Sequence, residues 1–471
     1  MTSSSLSRTL VFAIAVGVLV VVGCNVGPRY NRPDYATPPA FRGADNASVV
    51  SDSQNSLGDE QWAEVFREPE LQALIRTALA NNYDVRIAAR RVLEQQAQVQ
   101  ITRSQEFPQI TGGGTGIGAT LPSTLGTNIS SPLAFGTFNV GATWTPDFWG
   151  IYRKQTEAAR AQFLAQVWAQ RAVQLSIVQQ VVATYIQLRA LDRELEITQQ
   201  TLKVRQDSLE LTEKLERGGS APLSDVRQAE QLLYTASSQL PQIEQQIQQQ
   251  ENALSILLGA NPGPVAHTAP DALAPPPQDL PTSIPSQLLE RRPDIQQAEQ
   301  ILVAANAQIG IARAQFFPQL SITTSAGLGG NEFSNLFDIS GKTIYGIGSL
   351  TQPIFEGGKL RGQLKLSRET KDEMVLNYQK TILGAFRDVS NALIALNKQR
   401  VYRQEQEKLV AAAQDATRLA RIRYQGGATA YLEVLTTDSS LYSAQLNLVT
   451  AQQSEAVTLV QLYSALGGGW Q

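Results

Sequence analysis

The chain has 471 residues but only one cysteine, Cys24, and one histidine, His267. A structural zinc site takes four Cys or His ligands, a disulfide takes two thiols, and a Ser–His–Asp triad needs an imidazole beside its nucleophile. This composition excludes the first two and leaves the third a single candidate base. His267 lies in Asn261 to Pro285, a stretch rich in Pro, Ala and Asp that reads as an irregular linker, so it is expected to be solvated. Lys and Arg total 39, Asp and Glu total 42, and the net charge is −3. A nucleic-acid binder working through a basic surface would show the opposite balance. The sequence therefore reads as a non-enzyme with no catalytic residues, no metal site and no cofactor.

The thiol has a different use. Residues 1–23 carry one early positive charge, Arg8, then an apolar run from Thr9 to Val22. That run is too short for a hydrocarbon core of about 30 Å and fits the apolar region of a signal peptide. It ends Val21-Val22-Gly23-Cys24, which resembles the lipobox of bacterial lipoproteins. The resemblance implies a mature chain beginning at Cys24 with covalent lipid on its sulfur and amine. Each buried CH₂ of such a lipid adds about 0.8 kcal/mol of membrane affinity. Asn25 follows, not the Asp that resembles an inner-membrane retention signal, so the outer membrane is favoured.

Behind this address the sequence repeats at a period of about 208 residues. Glu106-Phe107-Pro108-Gln109-Ile110 returns as Phe316-Phe317-Pro318-Gln319-Leu320. Pro146-x-Phe148-x-Gly150 returns as Pro353-x-Phe355-x-Gly357, and Gly218-Gly219 as Gly426-Gly427. Order and spacing are kept, so residues 24–70 form a lipidated N-terminal segment, 71–260 a first repeat, 261–285 a linker and 286–471 a second repeat.

Each repeat shows the same elements. A helix over about Leu71 to Phe107, or Ile284 to Phe317, stops at Phe-Pro. Two short strands follow. Leu320 to Leu328 alternates, with Leu320, Ile322, Thr324, Ala326 and Leu328 on one face and Ser321, Thr323, Ser325 and Gly327 on the other. Phe138, Val140, Ala142 and Trp144 alternate likewise; Gln109 to Thr120 and Thr343 to Phe355 are weaker. Apolar-out, small-polar-in runs match membrane β-barrel strands, and also a soluble sheet with one wet face. Ile151 to Arg217 then holds neither Gly nor Pro, which as one helix is roughly 100 Å long; Gln363 to Gln425 is its counterpart. Leu188, Leu195, Leu202 and Leu209 form one heptad seam; Ile197, Val204 and Leu211 form a second beside it. A glycine turn leads to a returning helix, with Pro222 early in it and Pro241 expected to kink or interrupt it. Trp144, Phe148 and Trp149 are expected at the strand–helix junction, because Pro146 and Gly150 punctuate them.

Four strands cannot close a barrel, and an open edge in lipid leaves backbone groups unpaired at several kcal/mol each. Strands in the membrane would therefore require several copies. The sequence resembles the TolC-type outer-membrane factor family, in its lipoprotein NodT/OprM-like branch. The residues that carry the resemblance are Cys24, Gly27-Pro28-x-Tyr30-x-Arg32-Pro33, Arg291-Arg292-Pro293-Asp294, Ala312-Arg313-Ala314-x-Phe316-Phe317-Pro318, Arg423-Tyr424-x-x-Gly427 and Leu466-Gly467-Gly468-Gly469-Trp470. It implies a mostly α fold with a small β part. Built from two repeats per chain, the homotrimer would form a 12-stranded outer-membrane β-barrel continued by a long periplasmic α-helical barrel. It implies partners in a periplasmic adaptor and an inner-membrane RND-type pump, with export of drugs or other small toxic molecules.

The resemblance also assigns residues. Gly218, Gly219, Gly426 and Gly427 would be adaptor-contact tips; a plain helix-capping role for each glycine stays open. Asp225 would bond across to Tyr424 and hold the periplasmic gate closed. Leu432 would be an apolar constriction, and Glu433 would line the pore in a cation-favouring ring. Ordinary solvated helix charge is the alternative for Asp225 and Glu433. Thr429 stands where a latch Arg can occur, and Thr436 where a second acidic ring occurs, so the gate here is expected to be built differently. The competing readings are a periplasmic coiled-coil scaffold lipoprotein without a pore and an outer-membrane duct for type I protein secretion. A periplasmic hydrolase lacks any compact fold around an acidic pair.

Overall fold

The computed structural model describes residues 26–43, 57, 61–119, 133–267, 287–330 and 341–468. Cys24, the signal-peptide region, most of the linker and the Gly469-Trp470 end of the C-terminal motif lie outside the described residues. The first repeat comprises α1 (Trp62–Val65), α2 (Pro69–Asn81), α3 (Tyr83–Ser104), β1 (Gln109–Ala119), β2 (Leu133–Trp144), α4 (Ile151–Arg217) and α5 (Leu223–Leu257). The second comprises α6 (Leu288–Arg291), α7 (Pro293–Ala314), β3 (Gln319–Gly330), β4 (Lys342–Thr351), α8 (Lys359–Gln425) and α9 (Tyr431–Ala465). Helices α4 and α8 are each 67 residues long, and α5 and α9 each 35. Among the described residues no helix is long and apolar enough to cross a membrane.

Two compact units divide the chain, each drawn from both repeats. One holds Val92–Gln166, Ala298–Tyr378 and the described part of Met1–Asp34. Its centre is a single antiparallel sheet in the order β1-β2-β3-β4. Phe138, Val140 and Trp144 share a face with Leu328, Ala326 and Ile322, their direct partners, and with Ile344 and Leu350 of β4. Ile110 is on that face in β1, followed by Gly112, Gly114, Gly116 and Gly118. The other face holds Thr143, Thr323, Ser325 and Ser349 together with Ile117 of β1 and Tyr345 and Ile347 of β4. Register is specified because a slip by one residue would exchange the two faces. At the strand ends, Trp149 stacks on Phe317 with ring centroids 4.7 Å apart and donates its indole N–H to the Pro318 carbonyl at 2.6 Å. Trp144 donates to the Glu106 carbonyl at 3.2 Å. These aromatics belong to the junction.

The described N-terminal segment is tied to the same unit. Arg32 makes a two-armed contact with Glu299 on α7, at 2.8 and 2.5 Å, and Tyr30 donates to the same carboxylate at 3.1 Å. Burial, then the negative Glu299, push the Tyr30 phenol well above its ordinary value. The Gly27-Pro28-x-Tyr30-x-Arg32 motif is therefore a strap across α7. Asn306 completes it by donating to the Pro28 carbonyl at 3.2 Å.

The other unit holds Val167–Gln297, Gln379–Gln471 and Tyr35–Arg91, within the described residues. Its core is the inner seam of the long helices, including Leu188, Leu209, Ile382, Val389 and Leu396. The expected single helix from Leu71 to Phe107 is broken at Asn82. Its backbone is extended there, and its side-chain oxygen accepts the N–H groups of Asp84 and Val85, so it caps α3. Its amide also donates to the Leu257 carbonyl at 2.9 Å, closing the end of α5. The second repeat breaks at the equivalent place, where Arg292 precedes Pro293 and donates to the Ala465 carbonyl at 3.1 Å. Both breaks thus satisfy a helix end that would otherwise lack partners.

Two further expectations are corrected. Pro241 does not interrupt α5, which runs continuously to Leu257; the proline is on an exposed face, where water can take the carbonyl it leaves unpaired. His267 is not solvated. Its Nδ1 faces the Val265 carbonyl at 2.7 Å and its Nε2 is 2.9 Å from Asp192 on α4. Burial moves the Asp192 carboxyl above the usual carboxylate range, and the His267 ring opposes that shift.

Candidate functional site at the helix turns

The predicted tip and gate residues come together where α4 turns into α5 and α8 into α9. Both turns end in the same backbone motif. Ser220 N–H bonds the Leu215 carbonyl and Gly219 N–H the Glu216 carbonyl; Ala428 bonds Arg423 and Gly427 bonds Tyr424 in the same pattern. This is a Schellman cap, in which the residue donating the inner bond is left-handed. Gly219 has φ +71° and Gly427 φ +70°. The capping role of these glycines is thus a structural fact. A side chain placed on either would also meet nothing within 4 Å, so the space beside each is open to another backbone. Gly218 and Gly426 precede them as the last helical-side positions.

The returning helices then carry one carboxylate each in their first turns, Asp225 on α5 and Glu433 on α9. Each is the third residue of its helix, where the backbone dipole favours negative charge. Their neighbours differ. Glu433 takes a salt bridge from Arg423 at 2.8 Å and a hydrogen bond from the Thr429 hydroxyl. Thr429 therefore serves Glu433, and Arg423 supplies the positive charge. Asp225 accepts a 3.4 Å bond from Ser224. Tyr424 is half-buried, tilted against Tyr431 at a centroid distance of 5.1 Å. Burial, then the charge of Asp225, raise the Tyr424 phenol above its ordinary value. Asp225 is thus near Tyr424 without a hydrogen bond to it. Leu432 is 63% exposed, an apolar side chain free to meet another surface, and Thr436 donates back to the Leu432 carbonyl.

Sequence reasoning missed the charged node just behind these turns. Asp438 of α9 accepts from Arg205 of α4 at 2.9 Å and from Arg421 of α8 at 2.8 Å. Arg205 also donates to the Leu232 carbonyl of α5 at 3.0 Å and packs on the Tyr442 ring. The Tyr442 hydroxyl meets Thr198 at 2.9 Å. The buried Arg205 joins α4, α5 and α9, and Arg421 ties α8 to the same carboxylate. Around it lie Leu209, Val226, Ala229, Leu233, Ala420, Val434 and Leu435. The available signal was Arg205 itself, a charge falling inside the Leu202–Leu209 seam.

The model of the outer membrane efflux protein family matches residues 74–260 and 284–468, nearly all of both repeats. The chain belongs to the outer membrane efflux protein family. Its relatives match along almost their full lengths. It is 33% identical to the cation efflux system protein CusC of Escherichia coli O6:H1, covering 98% of this chain and 99% of CusC. It is 35% identical to the toluene efflux pump outer membrane protein TtgC of Pseudomonas putida, covering 97% and 95%. The open-state crystal structure of the Neisseria gonorrhoeae outer membrane channel MtrE superposes with a TM-score of 0.83 at 28% identity, over 95% of this chain and 99% of that one. In this family setting the small sheet and the long helices are one architecture, mostly α with a small β part and built from two repeats.

Proposed function

We propose that this protein is the outer-membrane channel component of a tripartite efflux system. It acts as a passive homotrimeric exit duct for drugs or other small toxic molecules. Transport energy comes from an inner-membrane RND-type pump, reached through a periplasmic adaptor, so the duct performs no catalysis. One observation carries the reading. The sheet has an apolar face and two open edges, β1 and β4, in a chain whose family consists of outer-membrane efflux proteins. Four strands are stable in lipid only when further copies pair those edges, and three copies supply twelve strands. Lipid on Cys24 anchors the strap formed by Tyr30 and Arg32. The turns at Gly218-Gly219 and Gly426-Gly427 meet the adaptor, while Asp225, Tyr424, Leu432 and Glu433 form the periplasmic gate. Planar-bilayer recording on purified protein tests the duct. Discrete, long-lived conductance steps are expected; a protein that inserts without conducting would leave the scaffold reading in its place.

A further inference from the structure

The strap over α7 marks one face of the sheet-bearing unit. Glu299 and Asn306 hold it, and a Cβ at Gly310 would come within 3.1 Å of both Gly27 and Lys154. Gly27 is three residues from Cys24, so this face leads to the proposed lipid anchor. Val303, one turn from both Glu299 and Asn306, opens on the same face. It lines a groove of about 490 Å³ with Arg103 and Glu106 of α3 and Arg153, Arg160 and Leu164 of α4. Trp144, on the apolar face of the sheet, donates to the carbonyl of Glu106, and the exposed Phe107 follows it. An apolar surface thus runs directly into a basic one. The charges in the groove are unevenly satisfied. Glu106 accepts from the Thr156 hydroxyl, and Glu157 pairs with Lys154 at 2.6 Å. Arg153 reaches Asp147 at 3.4 Å. Among the described residues the Arg103 side chain meets the Phe107 ring, at 6.0 Å, and no carboxylate, and the Arg160 side chain has neither a hydrogen bond nor an ion pair. Each of these carboxylates has a donor, while two guanidinium groups lack an acceptor.

We propose that this groove binds the phosphate head group of an anionic phospholipid in the periplasmic leaflet of the outer membrane. The proposal rests on the outer-membrane duct reading and adds a ligand to it. Arg103 and Arg153 stand at the helix ends next to β1 and β2. With the strands in the hydrocarbon, they lie at the depth of the head groups. Guanidinium groups hold phosphate oxygens through paired, charge-assisted hydrogen bonds. Trp144 and Phe107 border the acyl chains above them, the level that aromatic rings favour. The second repeat carries the same arginines. Helices α3 and α7 both have 22 residues, α4 and α8 both have 67, and the matching helix positions hold Arg313, Arg361 and Arg368. Among the described residues these three also have no acidic partner. Deeper along the helices the repeats do not share charge in this way, for Arg205 has Ala413 as its equivalent. Three arginines held in common just below the sheet mark a requirement of that level.

Nitroxide quenching reads the groove locally. Phe107→Cys supplies a labelling thiol beside Arg103, because Cys24, the chain's single native thiol, is in the lipid-bearing position. The fluorophore-labelled protein is reconstituted in phosphatidylcholine vesicles. These contain a trace of either phosphatidylglycerol or phosphatidylcholine carrying a nitroxide near the head group, and the ratio of quenching gives the relative affinity. Two arginines facing one phosphate are expected to favour phosphatidylglycerol about thirtyfold. Arg103→Gln/Arg160→Gln should bring the ratio close to one. Arg160→Gln alone, which changes an exposed side chain, should lower it about fivefold, so the test stands even if the pair misfolds. Arg418→Gln, an exposed arginine paired with Asp415, should leave it unchanged. Equal quenching by both lipids with all arginines present, or a preference that survives the arginine variants, would overturn the site. A preference abolished by inorganic phosphate at matched ionic strength would make free phosphate the ligand and overturn the lipid assignment. Conductance of the same labelled protein scores the duct separately. A conducting protein without the preference overturns this inference alone, and a protein that fails to insert overturns both.

Discussion

The two returning helices place a carboxylate at the same position and surround it differently. On α9, Glu433 is held by Arg423 and Thr429. The equivalent positions beside Asp225 on α5 are Leu215 and Ala221, which offer neither charge nor hydroxyl. Deeper along the same helices the contrast repeats. Asp438 is buried between Arg205 and Arg421, whereas its equivalent Glu230 pairs with Arg227 one turn away on the surface. Duplication kept the backbone and redistributed the charge. The second turn is neutralised within the chain, and the first keeps an available carboxylate beside Tyr424. The proposed gate would use this division, with one side held firm and the other able to make and break a bond.

The largest test of that contrast is stability. Asp438→Ala leaves two guanidinium groups facing each other behind the turns and is expected to cost about 3–5 kcal/mol. Glu230→Ala, which removes an exposed pair, should cost about 0–1 kcal/mol. Denaturant midpoints in detergent read both, and equal losses would break the comparison. Next comes the proposed latch. The structure holds Asp225 beside Tyr424 without that bond; if the closed state forms it as proposed, Asp225→Ala or Tyr424→Phe removes a charge-assisted hydrogen bond of about 1.5–3 kcal/mol, a leak increase of about tenfold or more. Unchanged bilayer conductance in both variants would contradict the latch. Gly219→Ala and Gly427→Ala should each cost about 1 kcal/mol, and equally, because both caps hold the same left-handed backbone. Smaller again is ion selectivity. Arg423→Gln frees Glu433 and should raise cation preference about two- to threefold, whereas Glu433→Gln should lower it, with the reversal potential in a salt gradient as readout. The smallest effect is spectroscopic. Tyr424 ionises above the ordinary tyrosine value, and Asp225→Asn should move its ultraviolet titration downward because a nearby negative charge is removed.

Much of the fold was legible in sequence because its signals are long or periodic. The absence of Gly and Pro bounded α4 at Ile151 and Arg217, and alternation around Leu320–Leu328 set the faces of the sheet. Glycine pairs marked both turns. Less visible was anything decided by a partner distant in the chain. Asn82 and Arg292 break their helices because Leu257 and Ala465 need capping, and no local pattern records that. His267 is held by Asp192 through a fold-level approach that its proline-rich surroundings hide. Arg205 was visible as a charge in an apolar seam, but its partner Asp438 was not, since the two meet across 233 positions. Asp225 and Glu433 were readable as carboxylates opening the two returning helices; their unequal neutralisation emerged only from the packed turns.

The claim underlying all of this is that the open sheet is completed by further copies of the chain. The mass of the detergent-solubilised mature protein, measured by size-exclusion chromatography with light scattering after subtraction of bound detergent, tests it most directly. The account predicts a heat-labile particle of three chains. A monodisperse monomer would contradict it, leaving the edges of β1 and β4 unpaired and the exit duct without a wall.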